Sequence, residues 1–266
     1  MRLGITLRAH EGLTQAIDGA RAAEDAGFQS VYVPERHFDA ADGFANAFAV
    51  AAAISGRLRE AWVGVIPAIG LEHPLRLVEQ ANMLDLLTRG RSLMVLSDAF
   101  EPRQYAAFGV PVPRNGLFDD LVQRLDDAWS WDYQEDGPAL EFTSGAYAAK
   151  LAGRIMPEAS PRRALETTAA TGVRDAARRG WAVHVRATTL QSAHDLVDTY
   201  RRALASSGHT AHGVEDALNH LAVVYDMALG PLDTDFLRDL EGCGVAEVRL
   251  EATRGVPLRE LVAAVN

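Results

Sequence analysis

Glu35, Arg36 and His37 put an acid, a cation and a base on three successive residues, directly after the β-like run Ser30 to Val33. Imidazole titrates near neutral pH, so His37 is the side chain best suited to handing over a proton under physiological conditions. Glu35 is placed either to orient that ring or to pair with Arg36. Arg36 stays protonated and contributes charge and donors but no basicity. A second polar segment, Leu71 to Arg91, reads LEHPLRLVEQANMLDLLTRGR. Its His73 suits a helix cap better than a ligand, and Arg76 a solvated ion pair with Glu79 or Glu72. Asp85 and Arg91 read as ties between the helix end and the next strand.

These side chains need elements to hold them, and the chain alternates strand with helix. Arg2 to Leu7 is an apolar strand. Leu13, Ala16, Ile17, Ala20 and Ala23 follow helical spacing until Gly27 stops the helix. Ser30 to Val33 is the second strand, Ala45 to Ile54 a small apolar helix, and Trp62 to Pro67 the third strand. Pro74 opens a helix, where its missing N–H costs nothing, and Ser92 to Ser97 is the fourth strand. A helix near Leu117 to Trp131 leads into a long irregular stretch from Asp132 to Pro161. The pattern then resumes with strands at Arg163 to Thr168, Trp181 to Arg186, Leu218 to Tyr225 and Val245 to Glu251. Helices fall at Val173 to Arg179, Leu190 to Ser206, Asp233 to Leu240 and Leu258 to Val265. Such alternation implies a parallel sheet with helical crossovers. Eight strands in one domain favour an α/β fold of the (β/α)8 TIM barrel type over a doubly wound sheet. The expectation is a single domain over residues 1–266 with an insertion around residues 132–161, serving as an active-site insertion or a lid.

Composition removes several function classes. The 266 residues are 48% hydrophobic and carry a net charge of −10, with no basic run suited to nucleic acid. No stretch of about 18 apolar residues is present to span a membrane. Met1-Arg2 leads straight into a strand without a signal-peptide pattern, so a cytoplasmic location is expected. The lone Cys243 excludes an internal disulfide and a cysteine metal cluster, and reads as a helix-end packing residue. The eight histidines are scattered, and no metal is expected. No Gly-x-Ser-x-Gly elbow, glycine-rich phosphate loop after strand one or dinucleotide fingerprint is present.

Glu35-Arg36-His37-Phe38, His73-Pro74-Leu75-Arg76 through Asp85-Leu86-Leu87-Thr88-Arg89-Gly90-Arg91, and the pair Phe108-Gly109 together resemble the bacterial-luciferase-like flavin enzymes. The resemblance is strong to about residue 111 and weaker from about 155 to 255. It implies a luciferase-like barrel and a monooxygenase that uses reduced FMN and oxygen on a small organic substrate, including natural products. The substrate would enter at the C-terminal barrel face beneath the 132–161 segment. A separate flavin reductase would supply the FMN as a diffusible reduced cofactor, and a homodimer built on the early helices is implied. Catalytic candidates are His37, in the role of the family's strand-two histidine, with Glu35 and Arg36. The family holds the flavin phosphate after strands five and six, where Glu166-Thr167-Thr168-Ala169-Ala170-Thr171-Gly172 offers hydroxyls and backbone N–H groups. This makes Glu166, Thr167, Thr171 and Gly172 cofactor candidates, the other reading being a Thr-rich helix cap. Ser97 is a candidate for contact with the flavin ring. So is Pro67, with a trans Ile66–Pro67 bond as the default and a cis one as the alternative.

Two departures qualify the resemblance. Many members carry a second histidine at the position of Arg36. The strand-four run Met94 to Phe100 lacks the family's glycines, and Asp98 stands about where a cation is expected. An acid beside a phosphate is repulsive, which predicts weak flavin affinity or an altered pose. Two alternatives follow: a non-catalytic flavin- or ligand-binding relative, and a deazaflavin-dependent hydride-transfer oxidoreductase.

Overall fold

The computed structural model describes residues 1–9, 12–38, 43–99, 101–113, 116–130, 140–144, 147–151, 161–187, 189–226 and 234–251. The first half runs β1 (Arg2–Thr6), α1 (Leu13–Asp25), β2 (Ser30–Pro34), α2 (Ala47–Ser55), β3 (Trp62–Ile66), α3 (Pro74–Thr88), β4 (Ser92–Ser97), α4 (Pro102–Phe108) and α5 (Gly116–Ser130). It continues β5 (Leu140–Ser144), β6 (Tyr147–Leu151), β7 (Arg162–Thr167), α6 (Ala170–Arg179), β8 (Ala182–Arg186), α7 (Leu190–Ala205), α8 (Ala211–Asn219), β9 (Ala222–Asp226), α9 (Thr234–Gly242) and β10 (Glu247–Glu251). Eight parallel strands close in the order β1-β10-β9-β8-β7-β4-β3-β2. This is the α/β (β/α)8 barrel, and the strands reach it at the predicted places to within a few residues.

Alternation along each strand explains the closure. Val31, Val33, Val63, Val65, Val183, Val185, Val248 and Leu250 point outward into one continuous core shared with the helices. The intervening positions point inward, where Tyr32, Leu93, Val95, Ala164 and Ala182 form a separate small apolar cluster. Helix ends follow local chemistry. Asn46 caps α2 by accepting from the Ala49 N–H at 2.9 Å, and Gly180 ends α6 at a positive φ of 69°.

The structure differs from the sequence reading at several points. The 132–161 stretch contains an antiparallel ribbon, β5 paired with β6, where irregular chain was expected. Helices α4 and α8 were not predicted. α4 has only seven residues, too few to show a helical period, and α8 carries Gly213 near its start, a residue more typical of loops. As a result the strand expected from Leu218 begins at Ala222. Among the described residues there is no cis peptide bond, so Ile66–Pro67 is trans. The expected closing helix, Leu258 to Val265, lies outside the described residues.

Candidate active site

Glu35 directly follows β2 at the C-terminal face of the barrel, held by a hydrogen bond from its own N–H to the Ile66 carbonyl at 2.8 Å. Residues two apart on an extended chain point the same way, and His37 Nε2 meets Glu35 Oε1 at 3.0 Å. Burial pushes the Glu35 carboxyl up from its ordinary range, while His37 opposes the shift. The pair is a carboxylate-oriented imidazole, the arrangement a proton-transfer residue requires. The His37 ring packs edge-on against Phe108 at 4.9 Å, and Phe38 lies 5.8 Å from the same ring. Phe38 is 76% exposed and adopts a positive φ of 61°, a costly backbone for a bulky residue. This aromatic wall shields the imidazole on one side.

The cleft beside the dyad is lined by residues from six strand ends, including Glu35, Arg36, Pro67, Ser97, Glu166, Arg186 and Glu251. α4 adds Gln104 and Tyr105. The Tyr105 hydroxyl donates to the Ile69 carbonyl at 2.9 Å and pins α4 against the loop after β3. The cleft has a cavity volume of about 30 Å³, room for a small polar group.

The floor of the cleft is a buried ion network that sequence reasoning largely missed. Arg249 is fully buried and donates to Glu166, to Glu251 at 3.0 Å and to His184 Nδ1 at 3.1 Å, with its guanidinium 5.0 Å from the Tyr32 ring centre. Arg186 donates to Glu166 at 2.9 Å and to both Glu251 oxygens at 2.7 and 2.8 Å. The two cations hold the Glu166 carboxyl down to about 2 against the opposing effect of burial. One layer lower, Glu247 accepts from the Ser30 and Tyr32 hydroxyls, each at 2.7 Å. A sequence signal existed. Ala-Val-His-Val-Arg in β8 and Glu-Val-Arg-Leu-Glu in β10 alternate polar with apolar, whereas parallel strands buried on both faces usually read as continuous apolar runs.

The remaining predicted residues fall in two places. Ser97, across from Glu166 in the β4–β7 register, donates to Glu166 Oε1 at 3.2 Å, and Pro67 lines the same cleft. Both Glu166 oxygens accept from protein donors, so Glu166 is a charge-paired residue in the cleft wall. The Thr167 hydroxyl donates a hydrogen bond to Asp98 at 2.8 Å and accepts from the Ala169 N–H at 3.2 Å. Burial and the neighbouring Glu166 push the Asp98 carboxyl up. A side chain at Gly172 would collide with Thr167, so this glycine lets α6 approach the end of β7. The N-cap Ala169 supplies no side-chain cap. By helix geometry the N–H groups of Ala170, Thr171 and Gly172 are left over at this end. With exposed Thr168 and Thr171, they form a donor set that fits an anion.

Other readings concern architecture. His73 caps α3 through Nδ1, accepting from the Leu75 N–H at 3.2 Å, and Arg76 pairs with Glu79 at 3.1 Å. Asp85 accepts from Ser92 at 2.6 Å, joining α3 to β4. Among the described residues, no three His, Cys, Asp or Glu side chains are grouped to hold a metal, and no helix is long and apolar enough to cross a membrane.

The family model for luciferase-like monooxygenases matches residues 1–227. The chain belongs to the luciferase-like monooxygenase family. A relative, the alkanal monooxygenase alpha chain of Photorhabdus luminescens, is 20% identical over 77% of this chain and 56% of its own. The chain thus spans a little over half the length of that relative. Among solved structures, monooxygenase RslO1 from Streptomyces bottropensis superposes with a TM-score of 0.79 at 18% identity, covering 99% of this chain and 96% of that one. The oxygenating constituent of a diketocamphane monooxygenase from Pseudomonas putida, solved with FMN, gives 0.74 at 14% identity over 95% and 92%. An F420-dependent secondary alcohol dehydrogenase, solved with an F420–acetone adduct, gives 0.76 at 13% identity over 100% and 99%.

Proposed function

We propose that this protein is a flavin-dependent monooxygenase that uses reduced FMN and oxygen on a small organic substrate. The observation that carries this reading is the Glu35–His37 pair opening beside an aromatic wall at the C-terminal barrel face, in a chain of the luciferase-like family. FMN would supply the oxygen chemistry. The N-terminus of α6 with Thr168 and Thr171 would hold its phosphate, and Ser97 and Pro67 would lie near its ring. His37 is the residue assigned to proton transfer, with Glu35 orienting it and Arg36 contributing charge. A separate reductase would deliver reduced FMN in the cytoplasm.

The whole of 1–266 is taken as one functional unit, and a homodimer is part of the proposal. Met83, Leu86 and Leu87 are 58%, 58% and 53% exposed on α3 beside α2. Together with Phe48 and Ala52 they line an apolar groove of the kind a second copy would cover.

Two other readings have specific support. The Asp98–Thr167 hydrogen bond puts an acid beside the proposed phosphate seat, which favours a flavin binder without turnover. The F420-dependent neighbour favours deazaflavin hydride transfer. Anaerobic titration with photoreduced FMN, followed by mixing with oxygenated buffer, separates the three. FMN binding with oxygen-dependent substrate turnover supports the monooxygenase. Binding without turnover across a substrate panel supports the carrier. Binding of F420 with no oxygen consumption supports hydride transfer.

A further inference from the structure

The hydrogen-bonding capacity left open in the cleft is one-sided. Its carboxylates are engaged: Glu35 by His37, Glu166 by Arg249, Arg186 and Ser97, and Glu251 by Arg186 and Arg249. Besides the fully buried Nε of Arg186, two donors are not engaged among the described residues. Gln104 is only 4% exposed, and its Oε1 accepts from the His37 backbone N–H at 3.2 Å. A backbone N–H can only donate, so the amide must turn its oxygen toward His37. The Nε2 amino group is what remains, and it has no partner among the described residues. The amino group is not sealed from solvent, and an unpaired donor at the cleft is expected to meet a ligand or water.

Arg36 is the second open donor. It lines the same cleft and is half-buried, and its guanidinium makes no hydrogen bond or ion pair among the described residues. Its side chain is packed over Gly43, where even a Cβ would crowd it, so its stem is confined. Arg36 and Gln104 converge on the His37 peptide, one as its chain neighbour and the other by hydrogen bond.

We propose that Arg36 and the Gln104 amino group form an acceptor-binding edge that selects an organic anion, a carboxylate or enolate, as the substrate of this site. A cavity of about 30 Å³ has room for a polar end group but not for a carbon skeleton, which would extend outside it. A planar guanidinium grips a carboxylate through two parallel hydrogen bonds, and the neutral Gln104 donor adds a third contact at lower charge cost. This deepens the monooxygenase reading and rests on it for the word substrate, but the binding edge itself is tested without turnover.

The test is calorimetric binding of naphthoate and of the matched uncharged naphthamide to the whole chain, with FMN binding followed separately by flavin fluorescence. Naphthoate is expected to bind at least about tenfold more tightly than naphthamide. Arg36→Gln should remove that preference, while Arg36→Lys should keep part of it. Gln104→Glu retains the oxygen that accepts from His37 and replaces the amino group with an acceptor. It should therefore invert the preference toward naphthamide, an outcome that a purely structural role for Gln104 does not produce. Equal binding of the two probes, absent naphthoate binding, or a preference unchanged in Arg36→Gln or Gln104→Glu would overturn the proposal. Loss of FMN binding or turnover with the naphthoate preference intact would overturn the monooxygenase reading alone.

Discussion

Replacing Glu166 with Gln tests the barrel's ion network most directly. The side chains have nearly the same shape, so the change removes charge with little loss of volume. In the folded chain Arg249 and Arg186 hold the carboxyl at about 2, compared with an ordinary 4.5. At about 1.4 kcal/mol per pH unit, this difference is worth roughly 3 kcal/mol of stability at neutral pH. Removing one partner of a buried ion pair costs about 3–5 kcal/mol in general, so the two routes agree. The sign follows from linkage. A carboxylate with a lowered folded pKa stabilises above its unfolded pKa and loses that contribution as pH falls through 4.5 toward 2. The gap between wild type and E166Q should therefore be about 3 kcal/mol at pH 7 and shrink by about 1 kcal/mol at pH 4. Reversible urea unfolding of both proteins at the two pH values measures it. A loss below about 1 kcal/mol at pH 7, or a gap that does not narrow at pH 4, would refute the reasoning.

Further outcomes follow from the same geometry. His37→Ala should lower oxygen-dependent turnover by about 10²–10⁴ while FMN affinity stays within about threefold. A turnover drop below about tenfold would remove His37 from proton transfer. His220 is buried against Trp62, and burial with Arg2 drives it down to about 4 from 6.5. The unfolded chain then binds the extra proton first, so stability should fall by about 2 kcal/mol between pH 7.5 and 5. His220→Gln should flatten that slope in urea unfolding. Gly64→Ala forces a methyl into the Tyr32 ring and should cost about 1–3 kcal/mol. An unchanged urea midpoint would show that the ring is free to move. Leu86→Glu places a charge in the exposed α3 groove and should convert a dimer to monomers by analytical ultracentrifugation; an unchanged mass would place the interface elsewhere.

Local chemistry made much of this protein legible. Alternating apolar runs and helical stripes give the order of strands and helices, since each reflects a period set by neighbours in sequence. The Glu35–His37 contact was one of two open readings, the other being a Glu35–Arg36 pair, and the structure shows the first, since residues two apart at a strand end share a side. The His73 cap and the Arg76–Glu79 pair lie within one turn of helix and were visible for the same reason. Short elements escaped: α4 is too brief to show a period, so Gln104 could not be placed against His37 from sequence. Long-range encounters were decided only by barrel closure. Glu166, Arg186 and Arg249 are separated by 20 to 83 residues and belong to β7, β8 and β10. The alternation in β8 and β10 marks polar positions there, but nothing local says which charge on another strand each one meets. They meet because closing the sheet turns every second residue inward, and a charge buried there is tolerable only beside an opposite one supplied by another strand.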